Sequence, residues 1–326
     1  MAIVVDKLEA LPPKGDDFCL DVRKDVVNIV NLKNVLSRLR ILPNSTGSTA
    51  RCAAVQFKDS KQQVALKMFK QCDEETGHRF MEEARIAVKV SDHPNVITTS
   101  LPLYRSEKEG FIMVIELANG GDLWDYVFQS KPKPEYELRG LSRQMVDGLS
   151  HVHGCGYAHM DVKLENFVVF VNADNSKTLK LIDFGLAYGL GRWQDRVEMD
   201  CSGAAYYAPE RFPLQPPLYS PQEAYFCVQT SFDVWGLGIC LVVMFTLQYP
   251  WDRADITKDI RYAKFQEWAS HFRYGDASRE SAPEIFQCFS DAWLDIFVSI
   301  FDEIEETRLT MAQLRSAIDR PDSIYD

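Results

Sequence analysis

The sequence predicts an α+β fold, because some segments show the apolar period of strands and others that of helices. Apolar side chains alternate in residues 64–68 and are continuous in residues 111–115, and both patterns predict strands. Leu, Met and Val recur every three or four positions between residues 138 and 152, which predicts a helix. The apolar run of residues 234–245 predicts a buried helix, because it is far shorter than the roughly 20 residues of a membrane span.

Composition and charge limit the classes of protein to which the chain can belong. Its 326 residues suffice for two lobes or one large domain, and 46% hydrophobic with 25% charged residues is typical of a folded protein. A net charge of -11 argues against nucleic acid or an anionic membrane as partner, because surfaces that bind these carry clustered Lys and Arg. The charge favours a basic substrate instead.

The cysteines and the chain ends indicate the cellular compartment. The eight cysteines form no C-x-x-C pair and follow no secretory signal, so we interpret them as reduced thiols of an intracellular, cytoplasmic protein. No glycine follows Met1 for myristoylation, and residues 323–326 contain no cysteine for prenylation. We therefore expect no lipid anchor and no membrane partner.

Residues 1–40 form a predicted N-terminal extension that matches none of the motifs described below. Apolar residues recur there at roughly helical spacing: Val26, Ile29, Val30, Leu32, Val35, Leu36 and Leu39. This spacing predicts an amphipathic helix that packs on the following domain. A helix that binds a partner protein is the alternative interpretation.

Two short polar clusters contain the candidate chemistry. The first contains Asp161, Lys163 and Asn166, and the second is Asp-Phe-Gly at residues 183–185. For either cluster alone, an exposed turn is the alternative. The segments between the clusters are apolar and predict two strands: residues 167–170 and 179–182.

The clusters resemble motifs of eukaryotic serine/threonine protein kinases. Residues 159–166, His-Met-Asp-Val-Lys-Leu-Glu-Asn, resemble the catalytic loop H-R-D-x-K-x-x-N, and residues 183–185 resemble D-F-G. The resemblance implies that Asp161 accepts or orients the proton of the substrate hydroxyl and that Lys163 neutralises the moving phosphate. The implied ligands of Mg²⁺ are Asn166 and Asp183.

The resemblance extends to the nucleotide contacts. Val-Ala-Leu-Lys at residues 64–67 resembles the V-A-I-K strand, so Lys67 is the implied phosphate-binding lysine and Glu83 its partner, with Glu82 as the alternative. Only Gly47 remains of the glycine-rich loop, for which a plain surface turn is the alternative. The implied ATP contacts, including a hinge at residues 116–122, are Ser45, Gly47, Cys52, Ala65, Lys67, Ile115, Glu116, Ala118, Asp122 and Val168.

Further motifs resemble architectural features of the family. They are Ala-Pro-Glu at residues 208–210, Asp-Val-Trp-Gly-Leu-Gly at 233–238 and Thr-Arg-Leu-Thr at 307–310. We expect Arg308 to pair with Glu210, because a buried carboxylate without a partner is costly. Residues 212–221 are interpreted as an irregular surface insertion.

Together these motifs imply a bilobal protein-kinase-like fold. The implied kinase domain is residues 41–320, with a small β-rich N-lobe over 41–117 and a larger, mainly helical C-lobe over 118–320, followed by a tail at 321–326. The implied activity is transfer of the γ-phosphate of ATP, with Mg²⁺, to a serine or threonine hydroxyl of a protein. Asp122 and Glu165 add an expectation of basic residues before the acceptor.

Two other classes are the alternatives. A catalytically weak or inactive pseudokinase, acting as a scaffold or allosteric partner, would fit the eroded glycine-rich loop and Met160, which replaces the family's arginine and makes this a non-RD variant. A small-molecule kinase of the aminoglycoside type is the second, but we would not expect it to carry the motifs around Glu210, Asp233 and Arg308.

Met160 also bears on regulation. In most regulated kinases the arginine at this position meets a phosphate on the activation segment, which here is residues 186–207. Residues 189–201 contain no Ser, Thr or Tyr, so Tyr188 and Ser202 are the candidates at the margins of the segment. We therefore expect activity that does not depend on phosphorylation of this segment.

Overall fold

A computed structural model of the protein describes residues 26–28, 36–46, 50–58, 60–69, 73–106, 110–129, 133–195, 203–212, 225–320 and 323–325, the first two ranges by their backbone alone. The chain divides into two compact units. The first unit extends to Asn119 and also includes Lys180–Leu186. The second comprises Gly120–Leu179 and the residues from Ala187 onward.

The first unit is built on one sheet. Its strands are β1 (Val26–Asn28), β2 (Leu36–Thr46), β3 (Ala50–Phe57), β4 (Gln63–Phe69), β5 (Thr99–Ser106) and β6 (Gly110–Glu116). They lie in the order β1-β5-β6-β4-β3-β2. Neighbouring strands are antiparallel, except that β1 runs parallel to β5.

The pleat of this sheet separates its apolar core from its candidate ligand-binding residues, because successive side chains point to opposite faces. One face carries a buried apolar cluster: Ala53, Val55, Val64, Leu66, Met68, Tyr104, Ile112 and Val114. The alternate positions of β4, Ala65 and Lys67, therefore belong to the other face. Their antiparallel partners on that face include Ile115 and Cys52.

The helix α1 (Glu74–Lys89) covers the first unit with an apolar face. Phe80 packs between Phe69 and Phe111, with ring centroids 5.2 and 5.0 Å apart. Glu83 follows three positions later and is also buried, because residues three apart share one face of a helix. Aromatic packing at Phe80 therefore fixes the direction of the Glu83 side chain.

The second unit is mainly helical. Its helices are α2 (Leu123–Phe128), α3 (Glu135–Gly154), α4 (Ser231–Thr246), α5 (Ile260–Arg273), α6 (Asp291–Ile300) and α7 (Met311–Ile318). Short strands complete the list: β7 (Tyr157–Ala158), β8 (Phe167–Val171), β9 (Lys177–Leu181), β10 (Tyr188–Gly189), β11 (Trp193–Asp195) and β12 (Tyr225–Cys227). The last two residues of β9 belong to the first unit. Every residue of α4 from Phe232 to Phe245 is buried, so this helix forms the core of the unit.

The structure confirms the predicted fold class, with a strand-rich first unit and a mainly helical second unit. Two of the three helices predicted from apolar patterns are confirmed as α3 and α4, and the four predicted strands are confirmed as β4, β6, β8 and β9. Among the described residues, no helix combines the length and the apolar character needed to cross a bilayer.

The helix predicted within residues 1–40 is wrong where the structure describes this segment, because Val26–Asn28 and Leu36–Thr46 are strands. Apolar Leu39 and Ile41 alternate with arginines, a period of two that suits a strand. Pairing with β5 and β3 supplies the backbone hydrogen bonds of β1 and β2. β5 is distant from β1 in the sequence, whereas β3 is the next strand after β2. Tertiary pairing therefore overrides the helical spacing of the apolar residues.

Some predictions fall on residues that the structure does not describe. Gly47, Ser202 and most of the insertion at residues 212–221 lie outside the described ranges, as do residues 1–25 and 29–35. For these residues the sequence-based interpretations remain predictions.

Candidate active site

Lys67 lies at the centre of a charge cluster in the first unit. Its Nζ donates to Glu83 Oε1 at 2.5 Å and to Asp183 Oδ1 at 2.8 Å. The side chains of Lys67 and Glu83 are 13% and 7% exposed, whereas that of Asp183 is 44% exposed. Lys67 is therefore held by one buried and one accessible carboxylate, and Glu83 rather than the exposed Glu82 is its helix partner.

The surroundings of this cluster shift the pKa values of Lys67 and Cys52. Burial lowers the pKa of Lys67, but the Glu83 and Asp183 carboxylates outweigh burial and raise it above its ordinary value. Lys67 is therefore a permanent cation. Burial raises the pKa of the neighbouring Cys52 thiol to about 11, although Lys67 opposes this effect. Cys52 is therefore a neutral thiol rather than a nucleophile.

Asp183 reaches Lys67 because its segment is tied to the first unit by backbone hydrogen bonds. Leu181 N donates to Asn95 O at 2.9 Å, and Ile97 N donates to Leu181 O at 3.0 Å. Asp183 then adopts a left-handed backbone with φ of 66°, which costs a residue other than glycine about 1–3 kcal/mol. Such strain is typical of residues whose direction is functionally constrained.

Asp161 is the centre of a second polar cluster, in the second unit. Its Oδ2 accepts hydrogen bonds from Lys163 Nζ at 2.7 Å and from Asn166 Nδ2 at 2.9 Å, and Asn166 Nδ2 also donates to the Asp161 carbonyl at 2.7 Å. Its Oδ1 accepts a long hydrogen bond of 3.5 Å from the Tyr207 hydroxyl. Burial lowers the pKa of Lys163, but Asp161 outweighs burial and raises it. One carboxylate oxygen is thus firmly held and the other is held weakly.

The backbone of the Asp161 loop, defined as residues 159–166, is anchored on Asp233 in the first turn of α4. The Asp233 carboxylate, whose residue is 1% exposed, accepts hydrogen bonds from His159 N at 2.7 Å and Met160 N at 2.8 Å. It also lies 2.7 Å from His153 Nε2. Burial raises the pKa of Asp233, but the histidine and the backbone donors outweigh burial and lower it. A buried anion therefore holds the loop.

Helix α4 approaches the Asp161 loop closely at Gly236. A Cβ at this position would lie 2.9 Å from the Val162 carbonyl oxygen and 3.0 Å from the Val162 Cβ. Glycine is required here because any side chain would displace the loop. Gly236 follows Asp233 by three positions, so one face of α4 both hydrogen-bonds to the loop and packs against it.

The structure brings some of the predicted nucleotide contacts together within each unit. In the first unit, Cys52, Ala65, Lys67 and Ile115 occupy paired positions on β3, β4 and β6. The Glu116 carboxylate forms an ion pair of 2.7 Å with Lys180, and Ala118 is partly buried. Ser45 belongs to β2, of which the backbone alone is described.

In the second unit, Asp122 and Val168 are joined by an isolated antiparallel bridge. The Asp122 carboxylate accepts a hydrogen bond from Asp125 N at 2.8 Å and so caps α2. Burial raises the pKa of Asp122 despite this bond. Asp122, an implied ATP contact, therefore also stabilises the start of a helix.

The predicted metal ligands have donor atoms that suit Mg²⁺, which prefers oxygen. Asn166 makes its hydrogen bonds to Asp161 through the amide nitrogen, so its Oδ1 is the atom that can ligate a cation. Asp183 supplies an accessible carboxylate. Within the described ranges no three His, Cys, Asp or Glu side chains form a metal cage. Mg²⁺ commonly needs none, because one or two protein ligands act with phosphate oxygens and water.

The expected pair of Glu210 and Arg308 is present. Arg308 Nη2 donates to Glu210 Oε2 at 2.8 Å, and Nη1 contacts Glu210 Oε1. The buried guanidinium also lies 4.8 Å from the Trp235 ring centroid, a cation–π contact. The Ala-Pro-Glu motif is therefore fastened to the core of the second unit.

Five residues around the Asp161 loop were not predicted as site residues: His153, Tyr207, Arg211, Asp233 and Gly236. The first three carry no motif of their own, and their contacts join residues 46 to 80 positions apart in the sequence. Asp233 and Gly236 belong to the 233–238 motif, whose pattern alone assigns them no role at the site. The role of Asp233 follows from its bonds to the loop backbone, and that of Gly236 from its closeness to the Val162 carbonyl.

Comparison with known proteins agrees with this geometry. The family model described as "Protein kinase domain" matches residues 45–317. Testis-specific serine/threonine-protein kinase 3 of Mus musculus and that of Homo sapiens are each 34% identical over 215 residues, covering 65% of this chain and 74% of the relative. A serine/threonine-protein kinase of Saccharomyces cerevisiae is 36% identical over 175 residues, covering 52% of this chain and 30% of the relative.

Proposed function

The chain belongs to the protein kinase family, and we propose that it is a serine/threonine kinase that transfers the γ-phosphate of ATP to a protein hydroxyl. The observation that carries this proposal is the cluster around Asp161, in which a carboxylate and a lysine cation lie 2.7 Å apart. This pairing suits deprotonation of a hydroxyl beside a phosphate that gains negative charge.

We assign proton acceptance to Asp161 and charge stabilisation to Lys163. Asp161 Oδ1, which accepts only the 3.5 Å hydrogen bond from Tyr207 in the described part of the chain, takes the proton of the substrate hydroxyl. At the same time the oxygen of that hydroxyl forms a bond to the γ-phosphorus. The bond from the γ-phosphorus to its bridging oxygen breaks, and ADP leaves with that oxygen. Lys163, whose raised pKa keeps it charged, stabilises the negative charge on the transferred group.

We assign nucleotide binding to Lys67, Glu83 and the remaining predicted contacts, and Mg²⁺ binding to Asn166 and Asp183. ATP bound with Mg²⁺ supplies the phosphoryl group and part of the charge neutralisation. Lys67 remains cationic and is directed by Glu83, which supports a role in holding the α- and β-phosphates. The strained backbone of Asp183 supports a directed ligand role for its carboxylate.

The substrate class and the location are finer proposals. The names of the relatives and Lys163 in the loop support a serine or threonine acceptor. Asp122 and Glu165, together with the net charge of -11, support basic residues before the acceptor. The described cysteines form no disulfide bonds, which supports an intracellular, cytoplasmic protein.

A degenerate peptide array with radiolabelled ATP tests both activity and acceptor preference. We expect labelling of serine or threonine peptides enriched in Lys and Arg. Asp161→Asn should lower the turnover by about 10²- to 10⁴-fold, because it removes the proton acceptor. Asp147→Asn is the matched control on the exposed side of α3 and should retain wild-type turnover.

Wild-type turnover in Asp161→Asn, or no labelling of any peptide by a folded wild-type protein that binds Mg-ATP, would contradict the proposed function.

A further inference from the structure

Met160 precedes Asp161 in an unusual backbone conformation. Its φ of 65° lies in the left-handed region, which costs a residue other than glycine about 1–3 kcal/mol and persists where surrounding contacts fix it. Both polar backbone groups of Met160 are held by charged side chains. Its N–H donates to Asp233 Oδ1 at 2.8 Å, and its carbonyl accepts a hydrogen bond from Arg211 Nη1 at 2.6 Å.

Arg211 reaches the Asp161 loop by two routes. The first is its direct hydrogen bond to the Met160 carbonyl. In the second, its guanidinium Cζ lies 3.9 Å from the centroid of the Tyr207 ring, a cation–π contact. The hydroxyl of that tyrosine donates to Asp161 Oδ1 at 3.5 Å. The same cation thus contacts both the backbone before Asp161 and the side chain that meets its weakly held oxygen.

The backbone that carries Arg211 is itself fixed. Arg211 ends the short 3₁₀ turn Pro209–Arg211, whose middle residue, Glu210, is paired with the buried Arg308 at 2.8 Å. Burial lowers the pKa of Arg211, but an arginine keeps its charge in proteins. A charged donor in a partly desolvated position makes a stronger hydrogen bond to a carbonyl than a solvated donor does.

We infer that Arg211 is a positioning residue for phosphotransfer, because it fixes the Met160 carbonyl and with it the direction of the Asp161 carboxylate. This inference rests on the proposed kinase function. The catalytic loop of this chain has no arginine at position 160, and Arg211, which lies just beyond the activation segment, supplies a positive charge to the same loop. The turn that carries Arg211 is already held by the pair of Glu210 and Arg308. Arg211 therefore needs no added phosphate to reach the Asp161 loop.

The test compares variants of Arg211 in the full chain. Arg211→Met keeps much of the side-chain volume but removes the hydrogen-bond donor. We expect kcat to fall about 10- to 100-fold, because a small misplacement of a catalytic group lowers the rate by such factors. The KM for ATP should stay within about twofold, because Arg211 contacts none of the assigned nucleotide residues. Arg211→Lys keeps a charged donor without the planar guanidinium and should have an intermediate kcat.

Arg139→Met is the matched control. Arg139 is also an arginine that donates to backbone carbonyls, those of Ile318 at 3.0 Å and Arg320 at 2.6 Å, and it lies in α3 away from the Asp161 loop. Its replacement should lower the melting temperature but leave kcat per folded molecule unchanged. If Arg211 only stabilised the fold, Arg211→Met would behave like Arg139→Met, with a lower melting temperature and an unchanged kcat per folded molecule.

Hydrogen exchange followed by mass spectrometry supplies a readout that needs no turnover. Arg211→Met should increase deuterium uptake in peptides covering residues 159–166 and leave residues 139–152 unchanged. Unchanged uptake in residues 159–166, or wild-type kcat in Arg211→Met, would overturn the inference. An inactive wild type would contradict the proposed function alone, since the exchange measurement still tests whether Arg211 fixes the loop.

Discussion

The clusters around Lys67 and Asp161 hold their charged groups in different ways. In the first unit, Lys67 is held by two carboxylates from distant parts of the sequence, Glu83 and Asp183. In the second unit, Asp161 has its nearest partners within five positions, and the backbone of its loop is fixed by Asp233 and Arg211. The first cluster therefore depends on ion pairs between side chains, and the second depends on charged side chains that hydrogen-bond to the backbone of the loop.

This difference indicates which substitutions should disrupt each cluster and how far the disruption should extend. Replacing one partner of Lys67 leaves the backbone around it paired within a sheet, so the loss is local and electrostatic. Replacing Asp233 removes the acceptor of two backbone N–H groups at once, so the loop itself loses its support. The following experiments test that contrast.

The largest effect on stability is expected from Asp233→Asn. It replaces one carboxylate oxygen with an NH₂ group, so one buried backbone N–H faces a second donor and the other loses its charge-assisted bond. Each of these two changes costs about 1.5–3 kcal/mol of the free energy of unfolding. Urea unfolding at neutral pH measures this loss. Asp147→Asn, which removes a partly exposed ion pair with Arg315, should change the free energy of unfolding by less than about 1 kcal/mol.

Asp233 also predicts how stability depends on pH. Its folded pKa lies below the unfolded value of about 3.9, so its contribution is complete above that value and is lost as the pH falls through the folded pKa. The difference in stability between wild type and Asp233→Asn should therefore shrink below about pH 4. A difference that stays constant from neutral to acid pH would show that the carboxylate is not held in its charged form.

Replacing Glu83 should have a smaller effect. Glu83→Gln removes a buried charge-assisted partner while Asp183 remains, so we expect a loss of about 1.5–3 kcal/mol of stability and an ATP KM raised about 10-fold. Glu82→Gln, at the exposed neighbouring position, should match wild type in both measurements. Equal effects of the two variants would contradict the role assigned to Glu83.

Gly236→Ala tests the close packing behind the Asp161 loop. The added methyl group must displace the Val162 backbone, so we expect a loss of about 1–3 kcal/mol of stability and a lower kcat. Gly140→Ala on α3 is the control, because a Cβ there meets nothing within 4 Å. That variant should be stabilised by about 0.5–1 kcal/mol, since alanine favours helix over glycine.

The smallest effect is expected from removing phosphate. We predict that protein made in bacteria, treated with phosphatase and shown by mass spectrometry to carry no phosphate, keeps its turnover. The reason is that residues 189–201 contain no acceptor hydroxyl and that Met160 replaces the usual phosphate-binding arginine. A fall in turnover that returns on phosphorylation of Tyr188 or Ser202 would contradict this prediction.

Much of the fold could be predicted from the sequence, because its longer elements are locally consistent. The apolar stripe of α3 and the apolar run of α4 each specify one kind of structure without help from the rest of the chain. The strands β1 and β2 could not be predicted. Their short apolar patterns fit a helix or a strand, and the choice depended on partners in β5 and β3.

The sequence by itself determined which residues carry the candidate chemistry, because Lys67, Asp161, Lys163 and Asp183 stand in short motifs whose residue types suit phosphoryl transfer. Only the tertiary structure decided how they are supported. The roles of Arg211 and Gly236 follow from distances to Met160 and Val162, which belong to a loop far away in the sequence. Such contacts have no local pattern, since they exist only after the chain has folded.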